Sequence, residues 1–258
     1  MSLRVLHRVA AGPLETAGTI DPEADRDVLL GLYAPPSSTW LRLNLIAAVS
    51  GDAAGPDGTS ETLSNPTDRV VLGVVRELAD GVVVGAASVR AEGYRVPKTS
   101  RLVVVTSSGD LSGHRMDPAQ AERVVVVCPA SAEEEVARTL GDDVAAAATT
   151  LVVPAGDDGV VAPETLLRRL REHGLRSLVC EGGPSLAGQF LRDGLVDELC
   201  LSTSPLVIGS GLPVFGRERF DPSELELSQL LLDDASGLYA RWLLPGGPAG
   251  RSATEAAR

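Results

Sequence analysis

The feature that most constrains this chain is a series of strand-length apolar runs, several of them almost unbroken valine and leucine. They cover residues 41–49, 81–85, 101–106, 123–128, 150–153, 177–180 and 199–208. A strand with one wet face alternates polar and apolar residues, so a run apolar at nearly every position has to be covered on both faces. That is the environment of a parallel sheet between helical layers, and helical patterns fall between the runs as such a sheet requires. The spacing predicts helices over 66–79, 163–173 and 184–192. In the first, Asn65 suits the cap, Pro66 the first turn and Asp68 the positive end of the dipole, while Val70, Val71, Val74, Val75 and Leu78 form one apolar stripe. Gly174 stops the second and Pro184 opens the third. Two closing runs, 225–233 and 237–244, flank Asp233-Asp-Ala-Ser-Gly237 and read as an antiparallel hairpin. The expected fold is α/β: a central mixed, mostly parallel sheet flanked by helices, with a C-terminal antiparallel hairpin.

Residues 1–39 are polar and broken by Pro13, Pro22, Pro35 and Pro36, and read as an N-terminal extension packing on the core through a short helix at 25–33. Residues 40–245 form the main domain, and the Gly/Pro/Ala/Arg-rich segment 246–258 is expected to be a disordered tail. With 258 residues, 44% of them hydrophobic, the chain can bury a substantial core. No apolar stretch approaches the ~20 residues of a transmembrane helix, and the first residues lack a signal-peptide core, so no membrane partner is expected. A net charge of −12 repels phosphate backbones, and 3% aromatic residues leave little to stack bases on, which excludes a general nucleic-acid binder. Cys128, Cys180 and Cys200 lie singly in apolar runs and read as buried thiols, which points to the cytoplasm. His7, His114 and His173 are scattered and no CxxC, HxE or HExxH occurs, so no metal is expected. GxSxG and GxGxxG are also absent, which disfavours a serine hydrolase and a Rossmann domain. Tyr94 and Lys98 have the YxxxK spacing, but Pro97 between them prevents the shared helical face that pair needs.

Three strand ends carry the remaining chemistry. At Cys180-Glu-Gly-Gly-Pro-Ser185 a buried strand gives way to two glycines and a helix start, where the backbone can approach a phosphate and free N–H groups face it. Glu181 beside them suits a neutral or cationic ligand group, or proton transfer. At Gly85-Ala-Ala-Ser88 a second strand ends in small residues and a hydroxyl, so the two turns can hold two parts of one extended cofactor. The third is a long glycine-rich loop over 47–60, of the kind that forms lids and binding loops. Arg76 interrupts the apolar face of its helix and suits phosphate binding.

In order and spacing, these pieces resemble the reductase domain of the riboflavin-biosynthesis deaminase-reductase, a family with the dihydrofolate reductase fold. The resemblance covers about residues 40–245. It rests on Asn44-Leu-Ile-Ala-Ala-Val-Ser-Gly51, Gly58-Thr-Ser60, Val84-Gly-Ala-Ala-Ser-Val89, Cys180-Glu-Gly-Gly-Pro-Ser-Leu-Ala187, Leu195-Val-Asp-Glu-Leu199 and Pro205-Leu-Val-Ile-Gly209. It implies an NADPH-dependent reductase of the 5-amino-6-(5-phosphoribosylamino)uracil type, acting as a homodimer. The same resemblance places cofactor contacts at Ala47, Thr62, Gly85, Ser88, Thr106, Gly182, Gly183, Pro184, Ser185, Leu186 and Ala187. It places Ser60 and Arg76 on the substrate's ribose phosphate, Ser64 near the base, Asn44 at a substrate-binding position and Glu181 on the pyrimidine, with Glu92 and Glu181 orienting the substrate or managing protons. The departures fall on the substrate side: Asn44 stands for a lysine, Ser50 for an aspartate, and Glu92-Gly93-Tyr94 for an Asp-(Asn/Asp)-Pro segment. Arg95 and Lys98 are candidates for a further phosphate-binding cation. Two other readings stay open, a reductase of dihydrofolate, a pterin or another small heterocycle, and a non-catalytic NADP-binding protein.

Overall fold

The structure is a computed structural model that describes residues 1–9, 18–244 and 246–247. Among these residues eleven strands form one sheet. They are β1 (Leu3–Arg8), β2 (Thr19–Ile20), β3 (Trp40–Ala48), β4 (Gly81–Gly85), β5 (Arg101–Val105), β6 (Val124–Cys128), β7 (Thr149–Val152), β8 (Ser177–Cys180), β9 (Glu198–Ser204), β10 (Glu226–Asp233) and β11 (Leu238–Leu243). They lie side by side as β2-β1-β10-β11-β9-β3-β8-β4-β5-β6-β7. Every neighbouring pair from β9 to β7 is parallel, and every pair from β2 to β9 is antiparallel. The mixed, mostly parallel sheet and its closing hairpin are thus as the sequence predicts.

The helices are α1 (Arg26–Tyr33), α2 (Pro66–Glu77), α3 (Ala86–Glu92), α4 (Glu133–Leu140), α5 (Asp142–Ala147), α6 (Pro163–Glu172) and α7 (Pro184–Arg192). Successive residues of a strand face opposite sides of the sheet, so the valine runs divide between two cores. Val82, Val84, Leu102, Val104, Val124 and Val126 join one core with Leu29 and Leu32 of α1 and Val71, Val74 and Val75 of α2. Val83, Val103, Val125 and Val127 join the other with Leu166, Leu167 and Leu170 of α6 and Phe190 of α7. Both faces are dry, which is why the strands do not alternate in sequence.

Three features go beyond the sequence reading. The N-terminal segment supplies not only α1 but two strands, of which β1 pairs with β10, Leu3 opposite Asp233. The apolar run over 199–208 ends as a strand at Ser204, because Pro205 has no N–H to give the ladder. The turn after β4 is itself a short helix, α3, closed by Gly93 at φ +62° with its N–H on the Val89 carbonyl. The expected tail falls, from residue 248 on, outside the described residues.

A buried charge network fastens α1 to the sheet. Glu198 on β9 has a fully buried side chain; its Oε2 accepts from Arg42 Nε (2.9 Å), Arg42 Nη2 (2.7 Å) and Trp40 Nε1 (2.8 Å), and its Oε1 from Arg241. The two arginines also donate to the carbonyls of Tyr33 and Leu32, which the end of α1 would otherwise leave without partners. Burial pushes the Glu198 carboxyl up, but the two guanidiniums win and hold it at about 2. Among the described residues no helix is long and apolar enough to cross a membrane, and no group of His, Cys, Asp or Glu is placed to hold a metal ion.

Candidate active site

Strand β8 enters the sheet between β3 and β4, so the chain leaves these three strand ends in different directions. In open α/β sheets such a switch point opens a crevice beyond the carboxyl ends of the strands. Here it is a cleft of ≈ 1190 Å³ walled by β3, the 53–64 loop, α2, α3, the start of α7 and the 212–218 loop. Its rim is held by Asp52, whose Oδ1 accepts from Ser210 Oγ (2.8 Å) and the Gly211 N–H (3.0 Å), while Ser50 Oγ bridges Asp52 Oδ2 (2.8 Å) and the Ile208 main chain.

Helix α2 presents Asp68, Leu72 and Arg76, spaced four apart, as one face toward the cleft, while Val71, Val74 and Val75 face the core. At the far end of that face Arg76 meets Glu181 in a fork, Nε to Oε1 at 2.8 Å and Nη2 to Oε2 at 2.6 Å. The Tyr94 hydroxyl donates to the same Oε2 at 3.3 Å, and the Arg76 guanidinium lies over the Tyr94 ring, 5.7 Å from its centre. Burial opposes the charge on Arg76, yet the Glu181 carboxylate keeps its pKa above the ordinary value. The Tyr94 hydroxyl is pushed well up by burial and by Glu181 and Glu92. Arg76 and Glu181, assigned by resemblance to opposite ends of the substrate, thus bind each other. The pair forms because α2 and β8 are neighbours in space, though the two residues are 105 apart in sequence.

Glu92, at the end of α3, accepts from Ser60 Oγ at 3.2 Å across the cleft mouth. Water reaches it, but the surrounding protein raises its pKa, by burial first and by the Glu181 charge besides, against the Ser60 hydrogen bond. Asp68 is nine-tenths buried, and its Oδ2 accepts from Ser64 Oγ at 2.8 Å. Burial raises its pKa as well.

The other half of the cleft is built by the two small-residue turns. The Glu181 N–H donates to the Val83 carbonyl at 3.0 Å, which draws the end of β8 against β4. A Cβ on Gly182 would stand 2.3 Å from Val84 Cα, so only glycine permits this approach. Gly183 follows with φ +66°, and a Cβ there would meet Ser88 Oγ at 3.0 Å. The Gly183-Pro184-Ser185 turn and Ala87-Ser88 thus face one groove, with the open N–H groups of α7 at its end, a cradle fit for a dinucleotide's phosphates.

The cleft gathers Asn44, Ser60, Ser64, Arg76, Ser88, Glu92, Glu181, Gly183, Pro184 and Ser185. The other predicted residues lie off its lining. Ala47 and Ala187 are buried, and Leu186 packs on the core, so the last two can offer a ligand only backbone. Gly182 and Gly85 shape the turns from behind. Thr106 is buried with its hydroxyl accepting from the Gly109 N–H, and Thr62 bonds Asp57 on the exposed loop. Of the two further cations, Arg95 lines the cleft and Lys98 does not. Sequence reasoning missed Tyr94, Asp68, Arg115 and Arg217 as lining residues. Arg115 comes from an irregular segment with no local pattern to announce it, and lies against Gly93. Arg95 and Arg115 make no ion pair among the described residues, so the cleft keeps cations available to an anionic ligand.

Residues 39–236 match the family described as the RibD C-terminal domain. The chain is 30% identical over 174 residues to the riboflavin biosynthesis protein RibD of Mycobacterium tuberculosis, covering 67% of this chain and 43% of that protein. It is 26% identical over 145 residues to the 2,5-diamino-6-ribosylamino-4(3H)-pyrimidinone 5′-phosphate reductase of Aquifex aeolicus, covering 52% and 61%. The chain thus spans about half the length of the curated relatives it matches. In fold it is similar to a pyrimidine reductase-like protein of Corynebacterium diphtheriae, with TM-score 0.70 and 23% identity over 81% of this chain and 94% of that one. It is also similar to a diaminohydroxyphosphoribosylaminopyrimidine deaminase/5-amino-6-(5-phosphoribosylamino)uracil reductase of Thermotoga maritima, with TM-score 0.65 and 21% identity over 80% and 56%.

Proposed function

The chain belongs to the RibD C-terminal domain family, and on that premise we propose that its cleft is the active site of an NADPH-dependent reductase of a ribosylaminopyrimidine phosphate in riboflavin biosynthesis. The observation that carries this reading is the meeting of two half-sites in one cleft. The glycine turn before α7 ends where the polar face of α2 begins, and Glu181 stands at the junction, held by Arg76.

When bound, NADPH supplies a hydride, and in the family it goes to the sugar carbon of the open-chain imine, leaving a ribityl amine. The protein's part is to bind, orient and manage one proton. Gly183, Ser185 and Ser88 hold the dinucleotide phosphates, and Gly182 lets the backbone come close enough to do so. Ser60, Arg95 and Arg115 take the substrate phosphate, since the fork of Arg76 is already occupied. Glu92, whose pKa the surrounding protein raises, stands in the open cleft as the group that gives the imine nitrogen its proton. Arg76 and Tyr94 fix Glu181 in one orientation beside the pyrimidine. The same reading carries a cytoplasmic homodimer, whose assembly light scattering would measure.

Titration of the purified protein with NADPH and NADH tests the reading. Tight NADPH binding that Gly183→Asp abolishes is the expected result, because that carboxylate would sit in the phosphate cradle at a backbone angle that L residues rarely adopt. A folded wild-type protein that binds neither nucleotide would overturn it.

A further inference from the structure

Five carboxyl groups line the cleft, and they are not equivalent: Glu61 and Glu218 pair with Arg69 and Arg192. Glu181 is neutralised by the Arg76 fork, and Glu92 stands in water against Ser60. Asp68 is nine-tenths buried and has no ion pair among the described residues. Arg69, next to it on α2, turns instead to Glu61. Within the protein two hydroxyls donate to Asp68, Ser64 on Oδ2 and Ser202 of β9, and Arg69 acts on it only through its charge. A carboxylate accepts and does not donate, so one buried in a binding cleft without a cation is completed by a ligand that brings N–H donors.

Resting on the reading of the cleft as a pyrimidine reductase site, we infer that Asp68 selects a pyrimidine that carries an amino group at C2 beside a protonated ring nitrogen. That edge offers two parallel N–H donors, the match of a carboxylate fork. On that same edge a uracil offers only N3–H, between two carbonyls, so its C2 oxygen would face a carboxylate oxygen with no proton between them. The relatives include both ring types: the Aquifex enzyme is named for a 2,5-diamino-pyrimidinone, the Thermotoga enzyme for a uracil. Asp68 places this chain with the amino form. Its product then still carries the C2 amino group. The same donor pair lies on the pyrimidine ring of a reduced pterin, so the chemistry is shared by two sources.

Binding of two fragments that differ only at C2, 2,5,6-triamino-4-pyrimidinone and 5,6-diaminouracil, to NADPH-saturated protein decides the matter by calorimetry. The wild type is expected to prefer the triamino compound by about tenfold or more, and Asp68→Asn to remove that preference, as the loss of one charge-assisted donor pair implies. Equal binding, a preference for the uracil, a preference that survives in a folded Asp68→Asn protein, or no binding of either fragment would each overturn the inference. The wild-type comparison stands even if the variant does not fold. NADPH oxidation with the ribosylaminopyrimidine phosphate and with dihydrofolate reads the parent proposal separately. A C2 preference without turnover of either would sink the reductase and leave Asp68 its role, and turnover without the preference would do the reverse. Turnover of one substrate and not the other identifies the source of the edge.

Discussion

Replacing Glu198 by glutamine keeps the shape of the side chain and removes the charge that two buried arginines share. The magnitude follows from the carboxyl itself. Its pKa lies at about 2 in the folded protein against an ordinary 4.5, which at 1.36 kcal/mol per pH unit corresponds to about 3 kcal/mol of folding stability. The same figure comes from breaking a buried ion pair, which costs about 3–5 kcal/mol because the partners are left uncompensated. A glutamine would also turn an amide donor toward one of the arginines. The folded pKa is depressed, so the contribution is present above pH 4.5 and lost as the pH falls toward 2. At pH 3 about 2 kcal/mol of it is already gone. Urea unfolding of wild type and Glu198→Gln at pH 7 and pH 3 measures this, the difference between the proteins cancelling other titrating groups. A gap of about 3 kcal/mol at pH 7 that shrinks by about 2 at pH 3 is expected. A gap below about 1 kcal/mol, the range of an exposed ion pair, or one that does not change with pH, would refute the assignment of this network as a buried, charge-compensated anchor of α1 and β3.

Two further outcomes follow from the cleft. Glu181→Gln would loosen Arg76 and Tyr94 while leaving the glycine turn intact, so kcat/KM for the pyrimidine should fall by about 10²–10³, with NADPH affinity nearly unchanged by fluorescence titration. Gly182→Ala would force its Cβ to within 2.3 Å of Val84 Cα, and the overpacking should cost about 1–3 kcal/mol in thermal unfolding and weaken NADPH binding together.

The α2 side of the cleft illustrates how assignments change when residues meet in space. Carried over singly, Arg76 belonged to a phosphate and Glu181 to a base. Together they form a fork braced by Tyr94, and Arg95, Arg115 and Arg217 are lining cations left for an anion. Tyr94, set aside because Pro97 spoils a helical pairing with Lys98, matters through a different partner.

The order of strands and helices was legible in the sequence wherever one element carried its own signal. Buried valine runs need no partner to be recognised, and Asn65-Pro66 and Gly182-Gly183-Pro184 mark helix starts by local chemistry alone. The two strands of the N-terminal segment were not legible, because β1 is held by pairing with β10 more than two hundred residues away and buries little beyond Leu3. The site divides in the same way. Its glycine-rich turns are contiguous stretches, and a glycine's freedom can be read from the residue itself. The opposite wall is made of Asp68 and Arg76 of α2 with Tyr94, Arg115 and Glu181, drawn from four places in the chain. Which carboxylate is neutralised and which stays buried without a cation depends on distances of a few ångströms across the fold, since a charge's energy is set by its neighbours and its solvent. That is a property of the assembled cleft, and no window of sequence contains it.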